Sequence, residues 1–582
     1  MDQETRIESI LGEMTLEQKI GQCVVIGMSG TVITNDLREA ILRYQCSGLR
    51  LSPFTRMFGY FSDSKAKRQE VGEDFVPSMQ KIAFPGKPPY RTPEDYAEIL
   101  NGLKRLAAGR RPAIPLHMVI DQENDTSKDL SRGGVVQFPS NMGLVAGGDL
   151  DLAREVARSV AVQMKGSGID MLHSPVVDVN INPDNPEIGS RAFSDDPEVV
   201  AEYAIAMLEG FKQGGVLAAA KHFPGRGDSA TDAHHSCPVL DVSLERLHAV
   251  ELLPYKRLIA AGLESIMIAH CVYPSIDPDH ISTVSRKVVT GLLREELGFK
   301  GLITSDSITM GALIDQYGIG EACARALQAG IDTILMKAEN HWRGEMFYTI
   351  RKWVEDGRIN AGELDDKVRR VLAMKLKYGL FDNMGIVDAA RAAESYQNPV
   401  IIETSKRAAQ NAIMVPKDEL GMLPLDRSRK VLLINQQNSI KCPNDRYDHP
   451  SLFQEIMEET WPALQTYETA FGSTPEQDDA VVRFVEANDF DLILCTNYYD
   501  RQEKPNTYAR QLIDAGKPVA LITNTPYCIK EHGGCIPCAK TIILNMNLTP
   551  EGLRTAKKVL FGELQPKARW PLANYDPFSL AD

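Results

Sequence analysis

A regular alternation of short apolar segments with amphipathic ones most constrains the fold of this 582-residue chain. Segments that are apolar throughout are typical of strands buried on both faces, and an apolar period of about 3.6 residues is typical of helices. Eight strands are predicted, at 23–27, 48–51, 116–120, 171–177, 216–220, 266–270, 301–304 and 333–336. Helices are predicted between most of them, for example at 152–165, 197–213, 243–261, 286–297 and 321–329. This pattern predicts an α/β protein built on a (β/α)8 TIM-type barrel rather than an open sheet.

The chain is too long for one ordinary core, so a second domain is expected. The barrel is assigned to residues 1–383, a connector with a helix to 384–415, and a smaller α/β sandwich domain to 416–582. The sandwich domain is predicted from four strands, at 431–434, 492–495, 519–522 and 542–544. At the amino terminus, residues 3–21 are predicted helical, with Thr15 placed to cap a second helical segment.

The net charge disfavours several classes of partner, and the cysteine usage indicates a location for the protein. A net charge of −14 and a pI near 5.4 disfavour nucleic acid and anionic membranes. The amino terminus is charged and lacks the apolar segment of a secretory signal, and no apolar run is long enough to span a bilayer. Ten cysteines scattered in apolar segments indicate reduced thiols, so a cytoplasmic location is expected. The sequence carries no signal for the oligomeric state.

Two segments leave alternatives open. Cys528, His532, Cys535 and Cys538 are zinc-type ligands close together, but their spacing matches no standard finger and free thiols are favoured. Residues 52–95 interrupt the barrel pattern with aromatic, charged and proline residues. This insertion is either a lid or partner-binding element, or an excursion packed on the side of the barrel.

Polar side chains follow most of the predicted barrel strands. Barrel active sites lie at the carboxyl ends of the strands, so these side chains are expected on one rim. The groups at the ends of strands three to eight are Asp121, Gln122, Glu123, Asp178, Asn180, Lys221, His222, His270, Ser305, Asp306, Ser307 and Lys337.

Asp306 follows the apolar strand 301–304. A carboxylate in this position can attack an anomeric carbon or stabilise an oxocarbenium ion. The alternative is an aspartate that caps the helix predicted after it.

Asp232 and His234 form a possible carboxylate–imidazole pair, in which Asp232 orients the ring and supports its protonated form. One alternative is an N-cap beside a surface histidine. A metal site formed with Asp228 and His235 is a third, less favoured interpretation.

Arg191, Lys221 and His222 are donors that can hold sugar hydroxyls or an acyl group. The alternative is ion pairing with acids such as Asp121, Asp178 or Glu187. Both interpretations can hold together.

Five motifs together resemble glycoside hydrolase family 3, in its β-N-acetylglucosaminidase branch of the NagZ type. They are IDQE at 120–123, NPEIGSRAFSDDPEVV at 185–200, AAAKHFPGRGDSATDAH at 218–234, HCVYPSIDP at 270–278 and LLREELGFKGLITSDSITMGAL at 292–313. The resemblance covers most of residues 5–380, and FGELQPKARWPLA at 561–573 is similar to the second domain of the family.

The resemblance implies a role for each matching residue. Asp306 falls on the catalytic nucleophile, and His234 with Asp232 falls on the acid/base dyad of this branch. The positions that hold the terminal N-acetylglucosamine correspond to Asp121, Arg191, Lys221 and His222. The implied substrate is a small N-acetylglucosamine-containing oligosaccharide or glycoconjugate, and neither a cofactor nor a metal is implied.

The chain also departs from the family pattern in two places. The branch usually continues Asp-Gln-Glu with Gly-Gly-Arg-Val, whereas Asn-Asp-Thr-Ser stands at 124–127, and Arg132 is the candidate to replace the missing arginine. Arg226 stands where the Pro-Gly-His-Gly turn of the branch has histidine. Both departures concern substrate identity more than the chemistry.

The hypothesis from sequence is a retaining exo-glycosidase that hydrolyses terminal β-linked N-acetylglucosamine, a β-N-acetylhexosaminidase. Phosphorolysis is one rival, because an imidazole repels an incoming phosphate less than a carboxylate does. A catalytically silent sugar-binding protein of the same fold is the other, favoured only by the altered segment at 124–127.

Overall fold

A computed structural model of the protein describes residues 2–53, 92–125, 127–131, 133–233, 236–337, 342–436, 452–470, 473–499, 506–529 and 533–579. The first part of the chain forms a closed barrel of eight parallel strands in chain order. These strands are β1 (Val24–Ser29), β2 (Gly48–Ser52), β3 (His117–Ile120), β4 (Met171–Leu172), β5 (Leu217–Phe223), β6 (Ser265–Ile268), β7 (Leu302–Ser307) and β8 (Thr333–Met336). β1 closes the barrel by pairing with β8, in the register Val24 to Ile334.

Helices surround the barrel and flank the second sheet. In the described residues, they run over Gln3–Glu13, Leu16–Gln22, Asn35–Leu42, Pro93–Ala108, Asn141–Gly147, Leu150–Gly166, Pro197–Gln213, Leu244–Ala249, Leu253–Ala260, Lys287–Glu296, Gly311–Tyr317, Ile319–Ala329, Trp342–Glu355, Ala361–Lys377, Leu380–Asn383, Ala392–Tyr396, Pro399–Asn411, Leu452–Thr460, Pro475–Glu486, Tyr508–Asp514 and Pro550–Leu560. Lys287–Glu296 has π-helical hydrogen bonding. None of these helices is both long and apolar enough to traverse a lipid bilayer.

The barrel interior is filled rather than open. Because side chains alternate between the two faces of a strand, Val24 and Ile26 belong to the large cluster that includes the helix residues, whereas Val25 belongs to a separate small cluster. That small cluster brings together one or more residues from seven of the strands and two from the helix Ala361–Lys377: Val25, Val119, Met171, Leu217, Ala219, Met267, Leu302, Leu335, Val371 and Met374. This apolar layer forms a floor, so that a cavity above it opens only at the carboxyl ends of the strands.

The second domain is built on a six-stranded sheet. Its strands are β9 (Ile413–Asp418), β10 (Val431–Gln436), β11 (Gln465–Thr469), β12 (Leu492–Thr496), β13 (Val519–Thr523) and β16 (Thr541–Asn545). Their order is β11-β10-β12-β13-β16-β9, and all neighbours are parallel except β9 and β16. Separate hydrophobic clusters cover the two faces. A small hairpin pairs β14 (Cys528–Ile529) with β15 (Gly533–Gly534).

The predicted barrel and second α/β domain are confirmed, and the main differences have local causes. The fourth barrel strand was expected over 171–177, but its regular pairing ends at Leu172, and an isolated bridge joins Val176 to Lys221 just after Pro175, which has no N–H to donate. Two edge strands, β9 and β11, were missed. β9 runs across 415/416, where the sequence analysis sets the domain boundary. The helical segment 3–21 is two helices, and Thr15 with Gln18 forms a capping box at the start of the second.

Candidate active site

A cavity opens at the carboxyl ends of the barrel strands, with an empty volume of about 700 Å³ that includes the solvent at its mouth. Its floor includes Met267 and Leu335 from the apolar layer inside the barrel. Charged side chains dominate the wall, and the lining residues are Asp121, Glu123, Ser127, His173, Glu187, Arg191, Lys221, His222, Arg226, Met267, Asp306, Ser307, Thr309, Met310, Leu335 and Lys337.

Asp306 lies near the end of β7 and faces this cavity. Its Oδ1 accepts a hydrogen bond from the backbone N–H of Ser307 at 2.7 Å, and its Oδ2 lies 3.9 Å from Nη2 of Arg226. Burial acts to raise the pKa of Asp306, but Arg226 and His270 outweigh burial and hold that pKa well below its usual range. Asp306 is therefore ionised near neutral pH, which is the form that a nucleophile requires.

The alternative interpretation of Asp306, as the cap of the following helix, is wrong. That helix is Gly311–Tyr317 and its N-cap position is Met310. Within the part of the chain that the structure describes, no side chain caps it. Asp306 belongs to the strand instead.

Glu123 is the centre of a buried charge cluster. Arg191 grips it with two parallel hydrogen bonds, from Nε to Oε2 at 2.8 Å and from Nη2 to Oε1 at 3.1 Å. Lys221 forms a close ion pair with the same carboxylate. Burial alone raises the pKa of Glu123, but the two cations lower it to about 2. The cluster therefore fixes the heads of Arg191 and Lys221 at the cavity wall.

Asp121 is held by three basic side chains. Arg50, which is buried inside the barrel, pairs with Asp121, and His173 Nδ1 lies 3.0 Å from its Oδ1. Lys221 lies 3.4 Å from the same oxygen. Burial opposes ionisation of Asp121, but Arg50 and Lys221 hold its pKa well below the usual range. Asp121 thus presents a fixed carboxylate, a strong acceptor for sugar hydroxyls.

His222 pairs with the fully buried Asp178, with Nδ1 2.7 Å from Oδ2. The other oxygen of Asp178 accepts the backbone N–H of Arg226 at 2.7 Å. Burial raises the pKa of Asp178 to about 6, against the influence of Arg226. Burial, together with the cations Arg226 and Arg191, holds the pKa of His222 well below its usual value. His222 is therefore a neutral donor or acceptor at the cavity wall rather than a cation.

The structure brings together five of the eight residues predicted for the site: Asp121, Arg191, Lys221, His222 and Asp306 all line one cavity. The ion pairs expected as their alternative role are also present, since Lys221 pairs with Asp121 and His222 with Asp178. Arg132 and His234 lie outside the described residues, as does most of the insertion 52–95. Asp232 is half-buried in the loop after β5, where its carbonyl accepts the N–H of Ser236 at 3.2 Å.

Several lining residues were not predicted as site residues. Glu123 and Lys337 were noted at strand ends but given no role, and His173 and Glu187 were not placed on the rim. Lys337, at the end of β8, forms neither an ion pair nor a hydrogen bond with the residues that the structure describes. Burial and the nearby Arg50 lower its pKa. His173 directly follows β4 in the structure, but the sequence predicted that strand over 171–177 and so placed His173 inside it.

The second domain braces the loops that carry the site. Tyr499 donates a hydrogen bond to the carbonyl of Pro186 at 2.5 Å, next to Glu187. Asp125 accepts the backbone N–H of Leu548 at 2.7 Å. Asp125 lies in the altered segment 124–127, so this departure from the family pattern supplies a contact between the domains.

The carboxyl-terminal tail forms a second brace on the loop after β4. Ser194 donates to the carbonyl of Pro571 at 2.8 Å. The carboxylate of Asp195 accepts the backbone N–H groups of Ala573 and Asn574 at 2.7 and 2.9 Å. Asn574 also donates from Nδ2 to the carbonyl of Asp195 at 3.4 Å, so four hydrogen bonds tie the segment after Arg191 to the tail.

The described residues contain no group of three or more histidine, cysteine or acidic side chains placed to bind a metal ion. Nine cysteines lie in this part of the chain, and all nine are free thiols. His532, the histidine of the possible zinc cluster, lies outside the described residues, as do His234 and His235.

Comparison with models of protein families shows the family to which this chain belongs. The model of the glycosyl hydrolase family 3 N-terminal domain matches residues 15–374, which span the barrel. The chain belongs to glycoside hydrolase family 3. This confirms the resemblance drawn from the five motifs, and with it the prediction of a glycoside hydrolase.

Individual relatives agree with this assignment. The chain is 29% identical over 366 residues to β-hexosaminidase A of Pseudoalteromonas piscicida, covering 59% of this chain and 60% of that protein. It is 34% identical over 253 residues to a β-hexosaminidase of Nitrosomonas eutropha, covering 42% and 70%. The chain thus spans about 60% of the length of the first of these relatives.

A solved structure resembles both domains. A family 3 β-N-acetylglucosaminidase from Paenibacillus sp. str. FPU-7 superposes with a TM-score of 0.78 and 26% identity, covering 96% of this chain and 99% of that one. The two-domain architecture is therefore shared over nearly the whole chain.

Proposed function

We propose that this protein is a retaining exo-glycosidase that removes terminal β-linked N-acetylglucosamine, a β-N-acetylhexosaminidase. The observation that carries the proposal is the ionised carboxylate of Asp306 in a floored cavity, facing a wall of fixed acceptors and donors. A cavity closed at one end suits the terminal unit of a chain. The relatives named β-hexosaminidase support the choice of sugar.

The proposed reaction has two steps of the retaining type. In the first, Asp306 bonds to the anomeric carbon while the bond to the leaving oxygen breaks and that oxygen takes a proton from His234. In the second, water bonds to the anomeric carbon and gives its proton to His234, and the electrons of the broken ester return to Asp306 as a carboxylate. Asp232, on the same loop as His234, is proposed to orient the imidazole.

The wall residues hold the sugar in place for both steps. Asp121 offers acceptor oxygens, and Lys221 and Arg191 offer donors whose positions are set by Glu123. Because these groups are fixed before substrate arrives, little reorganisation opposes the developing charge at the anomeric centre.

The test is turnover of aryl β-N-acetylglucosaminide, β-N-acetylgalactosaminide and β-glucoside by the wild type and by Asp306→Ala. We expect the N-acetylglucosaminide to be preferred, and Asp306→Ala to abolish turnover while sodium azide restores part of it as the α-glycosyl azide. Turnover by Asp306→Ala at the wild-type rate would rule out the assignment.

The same assay separates the rival functions. Each reaction is run with and without phosphate, and the sugar product is identified. Free N-acetylglucosamine in both supports hydrolysis, whereas N-acetylglucosamine 1-phosphate formed only with phosphate identifies a phosphorylase. Calorimetric binding of N-acetylglucosamine without turnover of any aryl glycoside identifies a silent sugar-binding protein.

A further inference from the structure

Arg226, which stands where the branch that the sequence resembles has a histidine, lies beside the proposed nucleophile Asp306. Its backbone is fixed at both ends, since its N–H donates to Asp178 at 2.7 Å and its carbonyl accepts Nδ2 of Asn185 at 2.9 Å. The side chain is buried, with 2% of the residue exposed. Its Nη2 lies 2.8 Å from Oε1 of Glu187 and 3.9 Å from Oδ2 of Asp306.

The glycine after Arg226 explains why the turn can bring the guanidinium so close. A Cβ at Gly227 would lie 1.7 Å from the carbonyl oxygen of Val179, so only glycine allows this approach to the loop after β4. The turn is consequently pressed against the loop that carries Glu187. Arg226 thus lies between Glu187, which it binds throughout, and Asp306, which is the proposed nucleophile.

Other charged groups face Asp306 from the neighbouring strands. His270 from β6, Lys221 from β5 and Lys337 from β8 each act on its carboxylate. Lys221 is committed to the ion pair with Glu123, and the ring of His270 lies within hydrogen-bond distance of the Ser307 carbonyl. Among the described residues, Arg226 is the cation at ion-pair distance from Asp306.

The other groups near Arg226 are two acids, a neutral thiol and one further cation, Arg191, whose Nη1 lies 3.7 Å from the same Oε1 of Glu187. Glu187 pairs with Arg226 from the loop after β4, and Asp178 accepts its backbone N–H. Cys271, at the end of β6, is buried beside it with a pKa raised well above the usual value, chiefly by burial. The guanidinium keeps its charge over the whole working range, whereas a histidine in the same turn would lose its charge near neutral pH.

We propose that Arg226 is a positioning residue that favours the second chemical step over the first. The inference rests on the proposed retaining mechanism. In the first step, Asp306 changes from a carboxylate to a neutral ester and loses its attraction to Arg226, so the cation opposes this step. In the second step, the ester bond breaks, its electron pair returns to Asp306, and the restored carboxylate regains Arg226 as its partner. The glycosyl-enzyme therefore breaks down quickly and does not accumulate.

The experiment compares Arg226→Met, which keeps the length but removes the charge, with Arg226→Lys, which keeps a cation. Arg294→Met is the matched control, because Arg294 is also a mostly buried arginine paired with an aspartate, Asp332, at 2.6 Å, but lies outside the cavity. The substrate is an aryl N-acetylglucosaminide with a good leaving group. Released aryl alcohol is followed in the pre-steady state, and the mass of the quenched enzyme reports the glycosyl-enzyme.

We expect Arg226→Met to show a burst approaching one aryl alcohol per enzyme molecule, with kcat and KM both lowered at least about tenfold. Added methanol should then raise its kcat, because the second step limits turnover. Arg226→Lys should recover most of the wild-type kcat, and Arg294→Met should keep wild-type kinetics. A merely structural role would lower kcat without a burst and without lowering KM.

A glycosyl-enzyme that forms as slowly as steady-state turnover in Arg226→Met, with no burst, overturns the proposal. Asp306→Ala serves to separate this failure from that of the proposed function. If Asp306→Ala is inactive while Arg226→Met shows no burst, only the role of Arg226 is wrong. If Asp306→Ala turns over normally, the retaining mechanism itself is wrong.

Discussion

The two ends of the barrel both bury charged side chains, but they use them differently. At the amino end, Asp332 directly precedes β8 and accepts the backbone N–H of Ile303 in β7 at 2.8 Å. Arg294 and Arg370, from surrounding helices, hold the same carboxylate at 2.6 and 2.8 Å. Asp170 repeats the arrangement before β4, where it accepts an N–H from β3 at 3.1 Å. These aspartates link strands to each other and to helices.

At the carboxyl end, the acids pair with other side chains around an open cavity. Glu123 binds Arg191 and Lys221, and Asp306 faces Arg226. Buried ion pairs alone therefore do not identify a candidate site in this barrel. What distinguishes the carboxyl end is that the paired groups keep one side turned toward a space that a ligand can fill.

The largest expected contrast is between Asp306→Asn and Asp332→Asn. Asp306→Asn should lower kcat by about 10⁴-fold or more with little change in Tm. Asp332→Asn removes the negative charge that pairs with Arg294 and Arg370, and should lower the free energy of unfolding by about 3 kcal/mol. Turnover per folded molecule should stay within about twofold of the wild type. Denaturant unfolding and steady-state kinetics of both variants test this prediction. Equal losses of stability in the two variants would contradict it.

A second pair of variants compares an arginine at the carboxyl end of the barrel with one at the amino end. Arg191→Met removes the two hydrogen bonds from the guanidinium to Glu123. It should lower kcat/KM by about 30-fold to 150-fold, mainly by raising KM, because a charged hydrogen-bonding group at the sugar is lost. Arg370→Met leaves Asp332 with Arg294 and should alter kcat/KM by less than about twofold. A kcat/KM for Arg191→Met near the wild-type value would remove Arg191 from the sugar site.

Titration of Asp178 should make activity and stability depend on pH in opposite directions. With a pKa of about 6, Asp178 is protonated as the pH falls below that value and can no longer accept from both His222 and Arg226 as an anion. We expect kcat/KM to fall on the acid side with a midpoint near 6, and this acid limb to be absent in Asp178→Asn. An unchanged limb in that variant would assign it to another group.

The same group should affect stability with the opposite sign. Because the folded pKa lies above the ordinary 3.8, the stabilising contribution of Asp178 is complete below that value and is lost as the pH rises through about 6. Thermal unfolding of the wild type and of Asp178→Asn between pH 4 and pH 7 reports this difference. Equal slopes with pH would contradict it.

The smallest effect should come from the brace supplied by the second domain. Tyr499→Phe removes the hydrogen bond to the Pro186 carbonyl, worth about 1 kcal/mol, and should lower kcat/KM by about fivefold or less. Tyr396→Phe is the control, since its hydroxyl bonds Ser167 at the amino end at 2.5 Å. Both should lose similar stability, but only Tyr499→Phe should change kcat/KM. Equal kinetics in the two variants would show that the brace does not reach the site.

Sequence alone located the barrel strands because each is a short buried apolar run between helices. It missed β11, whose residues are mostly half-exposed, and β9, which directly follows a helix. Asp306 and Lys221 were found because polar residues ending apolar strands are conspicuous. The approach of Arg226 to Asp306 could not be predicted, because it depends on the packing of two loops from different strands.

The attachment of Asp195 to Ala573 and Asn574 bears on how this enzyme can be rebuilt. A barrel transplanted without the second domain would retain every wall side chain, yet the segment beside Arg191 would lose its anchor in the tail that follows that domain. Protein engineers who seek a portable module should therefore move the second domain and its tail together with the barrel.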